Sequence, residues 1–238
     1  MRRARSLAGA IAVHLGLFVV LVFAAYTVPV LPLPRLPLLD ATVANSVVLV
    51  AAVALVVVLG WGRDTGLTQF RVREPALLLP PFLVALVWFG TGGVEVAALL
   101  PVTVRMLAVG FGEEIIYRGV ILRLLRPWGV VGACALSAVI FGLGHVGNAL
   151  FFDQPWPQTA HMMVVATLFG LVYAPLRLRV GALWPLGLLH ALTNVAETAA
   201  LIPPPLWVTA VVAPMALVYA VWLIRPLRRS ERHGHLPR

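Results

Sequence analysis

Gly112-Glu113-Glu114-Ile115-Ile116-Tyr117-Arg118-Gly119 plants three charges in a long apolar run. On insertion scales a charge at the centre of a bilayer costs about 3 kcal/mol, so three unpaired ones would cost about 9 kcal/mol. Residues four apart on an α-helix differ by about 40° in azimuth, so Glu114 and Arg118 can pair along one face while Glu113 points about 100° away. One carboxylate is neutralised by its neighbour and the other is left free. A structural ion pair locking a helix bundle is the plainer reading, and what argues past it lies further along the chain.

Working outward, the 238 residues are 61% hydrophobic and only 11% charged. A water-soluble domain of this size could not hide so much apolar surface, and apolar segments of about 20 residues recur along the chain. The expected fold is all-α, a polytopic membrane bundle of about eight transmembrane helices. All 18 basic residues are arginines, set against nine acids for a net charge of +9. In a soluble protein that excess would point to nucleic acid. Here the arginines sit in short loops between apolar spans, so they report orientation in a membrane, and nucleic-acid binding is not expected. Cys134, the only cysteine, rules out an internal disulfide and any multi-cysteine metal site.

In order, the predicted spans are 7–28, 41–59, 75–89, 95–125, 129–150, 158–176, 181–202 and 206–224. The first follows Arg2, Arg3 and Arg5 and is longer than a signal-peptide core, so it reads as a retained helix. Pro80-Pro81 is expected to bend the third. The fourth, at ~1.5 Å per residue, is ~46 Å long and is expected to tilt or to break near Gly110 and Gly112. Gly-rich 90–93 and Pro-rich 203–205 read as outer turns. Fifteen arginines then fall on one side, Arg35 on the other, and Arg105 and Arg118 within the fourth span. This asymmetry predicts both termini in the cytoplasm. Three segments follow: 1–74 with the first two helices and a loop, 75–224 as the functional domain, and 225–238 as a basic tail.

The polar residues within the hydrocarbon fall on the fourth, fifth and seventh spans: Glu113, Glu114 and Arg118; His145; His190 and Asn194. Counted from the flanking arginines, Glu113, His145 and His190 lie at similar depths, ~16–22 Å in. A lone histidine on an apolar helix is more often a satisfied structural residue. Two of them beside paired glutamates at one depth are harder to dismiss. Phe141 shares a helix face with His145, and Asn194 shares one with His190. A desolvated Glu113 suits the task of taking a proton from water. Glu114, held ionised by Arg118, is expected to orient His145. His190 and Asn194 can donate hydrogen bonds to a developing oxyanion. These are the parts of peptide-bond hydrolysis.

Glu113-Glu114-x-x-x-Arg118, Phe141-x-x-x-His145 and His190-x-x-x-Asn194, in this order on membrane helices, resemble the CPBP family of intramembrane proteases. That family, also called CAAX prenyl protease 2 or Abi, includes bacteriocin-processing and self-immunity proteins. The resemblance covers roughly residues 75 to 222, with Tyr117 standing where the family often has Phe. It implies Glu113 and His145 as the pair that activates water, Glu114 and Arg118 as their support, and His190 and Asn194 as oxyanion donors. Two readings of the chemistry stay open. A Glu113, His145 and His190 set matches a His₂Glu catalytic zinc site in ligand type. The other reading is a glutamate protease without metal, since no His-Glu-x-x-His run fixes two ligands on one helix.

The expected activity is therefore an intramembrane endopeptidase acting on a membrane-associated or peptide substrate, in contact with lipid, in a bacterial cell membrane. The alternatives are a non-catalytic bacteriocin-immunity or scaffold protein of the same fold, and a proton-coupled transporter using Glu113 and His145 as a relay. The oligomeric state is not written in the sequence. Asp153, His161 and Arg105 read as loop, interfacial and snorkelling residues, while Glu197, on the face of His190 and Asn194, reads either as lining the outer part of the cavity or as a helix-end carboxylate.

Overall fold

The computed structural model describes residues 1–34, 36, 38–92, 95–202 and 206–232. Eight helices of 14 residues or more run through them: α1 (Arg2–Thr27), α2 (Leu39–Val58), α3 (Leu79–Gly92), α4 (Val96–Glu114), α5 (Gly129–Gly144), α6 (Trp156–Val180), α7 (Trp184–Thr198) and α8 (Leu206–Arg232). Among the described residues there is no strand. Six helical segments are long and apolar enough to cross a membrane: those of α1, α2, α4, α5, α6 and α8. With 14 and 15 residues, α3 and α7 reach only ~21–23 Å, short of a ~30 Å hydrocarbon core. The fold is an all-helical polytopic bundle, with six helices among the described residues long and apolar enough to cross a membrane. Arg35, Gly93, the Pro203–Pro205 turn and residues 233–238 of the tail lie outside the described residues.

The motif-bearing segment does not break at Gly110 or Gly112. It runs without interruption from Val96 to Leu124, and Ile115–Ile121 is wound as a π-helical turn. Both glycines serve close packing instead. A Cβ on Gly110 would lie 2.8 Å from the backbone N of Ala191 and the backbone O of Gly187 in α7, and one on Gly112 would lie 3.5 Å from Leu49 of α2. Small residues that let backbones approach are how helices associate where lipid is the solvent. Pro80-Pro81 stands where the 3-10 turn Pro75–Leu78 passes into α3. The pair occupies its first turn, where a missing N–H costs nothing. The helix also continues through Gly90 to Gly92 rather than turning there.

Packing places α4 between α7 and α2, with α1 outside α2, while α5 packs on α6 and α6 on α8. The π turn joins the two groups. It touches α1, α2, α5 and α6, and all seven of its residues are buried. Ser137 of α5 donates to the Tyr117 carbonyl at 2.9 Å, a bond to backbone in the widened turn. Apolar side chains such as Val19, Phe23, Val50, Val58 and Val218 stay exposed on α1, α2 and α8. They form the surface expected to meet lipid.

Candidate active site

The end of α4 delivers two adjacent carboxylates into different surroundings. Glu114 is fully buried and Glu113 keeps about a third of its side chain exposed, 30%. The difference follows from helical geometry: the two point about 100° apart, so only one can face the centre of the bundle. Glu114 Oε1 lies 3.2 Å from Arg118 Nη1, the i,i+4 pair read from the sequence. The same oxygen accepts a hydrogen bond of 3.0 Å from His190 Nδ1. Across the ring, His190 Nε2 lies 3.4 Å from Glu113 Oε2. Each nitrogen of one buried imidazole thus faces a carboxylate of α4.

This pairing revises one expectation. Glu114 orients His190, not His145. The two imidazoles come from different helices, and which of them meets Glu114 depends on the rotation of α5 and α7 about their own axes. His145 caps the C-terminal end of α5, half-buried, and its Nδ1 donates to the Phe141 carbonyl at 3.0 Å. Its ring stands edge-on to Phe141 at 5.1 Å, as the i,i+4 spacing predicts. His190 stands edge-on to the same Phe141 at 6.1 Å. One phenylalanine therefore positions both imidazoles. Asn194 lies half-buried one turn beyond His190.

Arg118 is 2% exposed, yet its Nε and Nη2 have no hydrogen-bond partner. Aromatic faces hold it. Its guanidinium carbon sits 4.2 Å from the Phe141 ring centroid, 5.6 Å from Phe169 and 5.8 Å from Tyr173. Cation–π attraction of this kind strengthens as the cation loses water. Phe169 and Tyr173 stack at 3.8 Å, and Phe169 also lies 4.7 Å from the His190 ring. Sequence reasoning missed both. An aromatic pair four residues apart on an apolar helix carries no mark that separates it from ordinary core.

His14 of α1 was also missed as a neighbour of this region. Its Nδ1 meets Tyr117 Oη at 3.0 Å, and Gly144 leaves room for that contact, since a Cβ there would lie 2.9 Å from the His14 ring. A histidine midway along an otherwise apolar first helix was the available signal. Asp153, His161 and Glu197 are exposed, and Cys134 is buried.

Among the described residues no three His, Cys, Asp or Glu side chains stand together as a group able to hold a metal ion. Glu113 and His190 do meet, but His145 does not join them in such a group. As arranged, Glu113, His145 and His190 do not fit a three-ligand zinc site.

Residues 95–196 match the family model described as Type II CAAX prenyl endopeptidase Rce1-like. The matched stretch runs from the start of α4 to near the end of α7, and so contains Glu113, Glu114, Arg118, His145, His190 and Asn194. No curated protein and no solved structure matches the chain.

Proposed function

We propose, from the premise that residues 95–196 carry the domain of the Rce1-like, type II CAAX prenyl endopeptidase family, that this integral membrane protein hydrolyses a peptide bond in a membrane-associated substrate, and that Glu113 is the base. The family is one of proteases, so a peptide or protein is the substrate class. A prenylated C-terminal segment is the form that the family's description favours. The observation that carries the reading is the split between the two glutamates. One is buried and neutralised; the other is partly open to water and 3.4 Å from an imidazole.

In this reading water attacks the scissile carbonyl carbon as Glu113 takes its proton. The carbonyl oxygen becomes an oxyanion, for which Asn194 and His190 Nε2, once protonated, are the proposed donors; a donor in such a position is typically worth about 3 kcal/mol. The C–N bond then breaks and the amine leaves with the proton that Glu113 held. His190 is oriented by its bond to Glu114, so that Nε2 is presented to Glu113. A proton on either partner makes that contact favourable, which lets the pair pass a proton without rearrangement. His145, tied through Nδ1 to Phe141, has Nε2 left to bind the attacking water. Both termini are read on the cytoplasmic side, with the arginine-rich loops.

The test uses purified full-length protein in detergent with a fluorogenic peptide, prenylated and unprenylated. Cleavage is expected from the parent and not from Glu113→Gln or His145→Ala. Equal product from parent and variants would end the protease reading and leave a binding or immunity role for the same fold.

A further inference from the structure

On the arginine-rich side of the buried pair, seven arginines and a single carboxylate, Asp64, line a cavity of about 480 Å³. Its floor is buried and its rim is open. Arg118 and Arg177, 2% and 6% exposed, form the floor, while Arg63, Arg71, Arg73 and Arg126 stand exposed around the mouth. The one carboxylate is already taken: Arg123 pairs with Asp64 at 2.6 Å and lies 3.7 Å over the Trp61 ring.

The arrangement is built, not a chance crowding of loops. Arg177 Nε donates to the Thr65 carbonyl at 2.9 Å, and Arg73 Nη2 donates to the Leu178 carbonyl at 3.1 Å. Gly66 and Gly181 both have positive φ, 76° and 80°, and a side chain at either would run into one of these guanidinium groups. The two segments are tied by backbone bonds from Arg73 N to Val180 O and from Leu183 N to Gly66 O. Chain geometry therefore brings like charges together and holds them there. Such a convergence is unfavourable unless an anion shares it. Arg118 adds an independent sign: a buried guanidinium lining the cavity whose Nε and Nη2 lack any hydrogen-bond partner.

A phosphate group suits these donors better than a carboxylate. It offers more acceptor oxygens, and guanidinium forks bind it in bidentate pairs. The rim indicates where the phosphate comes from. Phe70, between Gln69 and Arg71, is 81% exposed, and Trp184, 40% exposed, donates its indole N–H to the Phe70 carbonyl at 3.1 Å. Exposed aromatics beside arginines are the mark of the headgroup layer of a bilayer. We propose that this cavity binds the phosphate group of an anionic phospholipid headgroup. The proposal does not rest on the protease reading.

The probe is thermal unfolding of the full-length protein in neutral detergent with added short-chain phosphatidylglycerol, phosphatidylcholine of the same chains, or inorganic phosphate. Phosphatidylglycerol at a hundredfold excess over Kd is expected to raise the midpoint by about 5–10 °C, and phosphatidylcholine to leave it in place. The shift should vanish in Arg71→Gln/Arg126→Gln, whose parent side chains are exposed and carry no core packing. It should survive in Arg228→Gln/Arg232→Gln, which loses the same charge elsewhere. Inorganic phosphate giving the full shift, with the same loss in the Arg71/Arg126 variant, keeps the phosphate site and moves its ligand into solution. Equal shifts from both lipids, a shift retained in the Arg71/Arg126 variant, or no shift from phosphatidylglycerol and phosphate alike would overturn the proposal.

Discussion

His190 and His145 stand against the same phenylalanine, and the regions around them are held in opposite ways. The His190 region is buried and tied across helices, with α4 supplying a carboxylate to each ring nitrogen and α6 supplying an aromatic wall. The His145 region is half-buried at the end of α5, and its ring hydrogen bond goes back to its own helix. In the first region stability and the proposed chemistry share the same atoms. In the second they can be separated.

The sharpest break of that comparison is Glu113→Gln. It keeps the shape of a partly exposed side chain while removing the proposed base, so cleavage should fall about 10²–10⁴-fold. Unfolding stability should move by less than about 0.5 kcal/mol. A parallel fall in stability would place Glu113 in the structural half. Next comes Arg118→Ala, which strands the buried Glu114 carboxylate and should cost about 3–5 kcal/mol in a denaturant titration. The coupled Glu114→Gln/Arg118→Met change, with no charge left to strand, should recover most of that loss while cleavage stays low.

Comparing His190→Ala with His145→Ala tests the division directly. Both should lower cleavage, but only His190→Ala leaves the fully buried Glu114 Oε1 short of a donor, for about 1–3 kcal/mol of stability. His145→Ala should cost less than about 1 kcal/mol. Equal losses in thermal unfolding would erase the distinction. The smallest effect belongs to His14→Phe, which removes the bond to Tyr117 Oη and should cost about 1 kcal/mol with cleavage intact.

How much of this was legible in the sequence follows from which quantities lie along one helix. The Glu114–Arg118 pair, the outward turn of Glu113 and the edge-on contact of Phe141 with His145 are relations within single helices, and helical arithmetic finds them. Which imidazole meets Glu114 is a relation between helices, set by rotations that no spacing records. Gly110 and Gly112 were legible as special but not as packing surfaces, because a break and a close approach place the same residue in the sequence. Phe169 and Tyr173 carry no mark in the sequence that sets them apart from packing residues, and they hold a buried cation as well as pack. The arginines of 63–73 read as signs of orientation, and nothing in their order showed that they converge with Arg118 and Arg177 on one cavity.

The π turn carries a consequence for this convergence. A turn closed over five residues instead of four shifts everything after it by one residue's worth of winding, about 100°. Ahead of it α4 shows its glutamates to α7, and within and beyond it the chain shows Arg118 and Arg123 to the cavity. Winding 115–121 as an ordinary α-helix with every residue kept would swing the acidic and basic halves out of mutual bearing, whereas deleting one residue there would remove the π turn and keep them aligned. The rod works as a key with two bits cut at a fixed angle, and that angle is stored in one surplus residue.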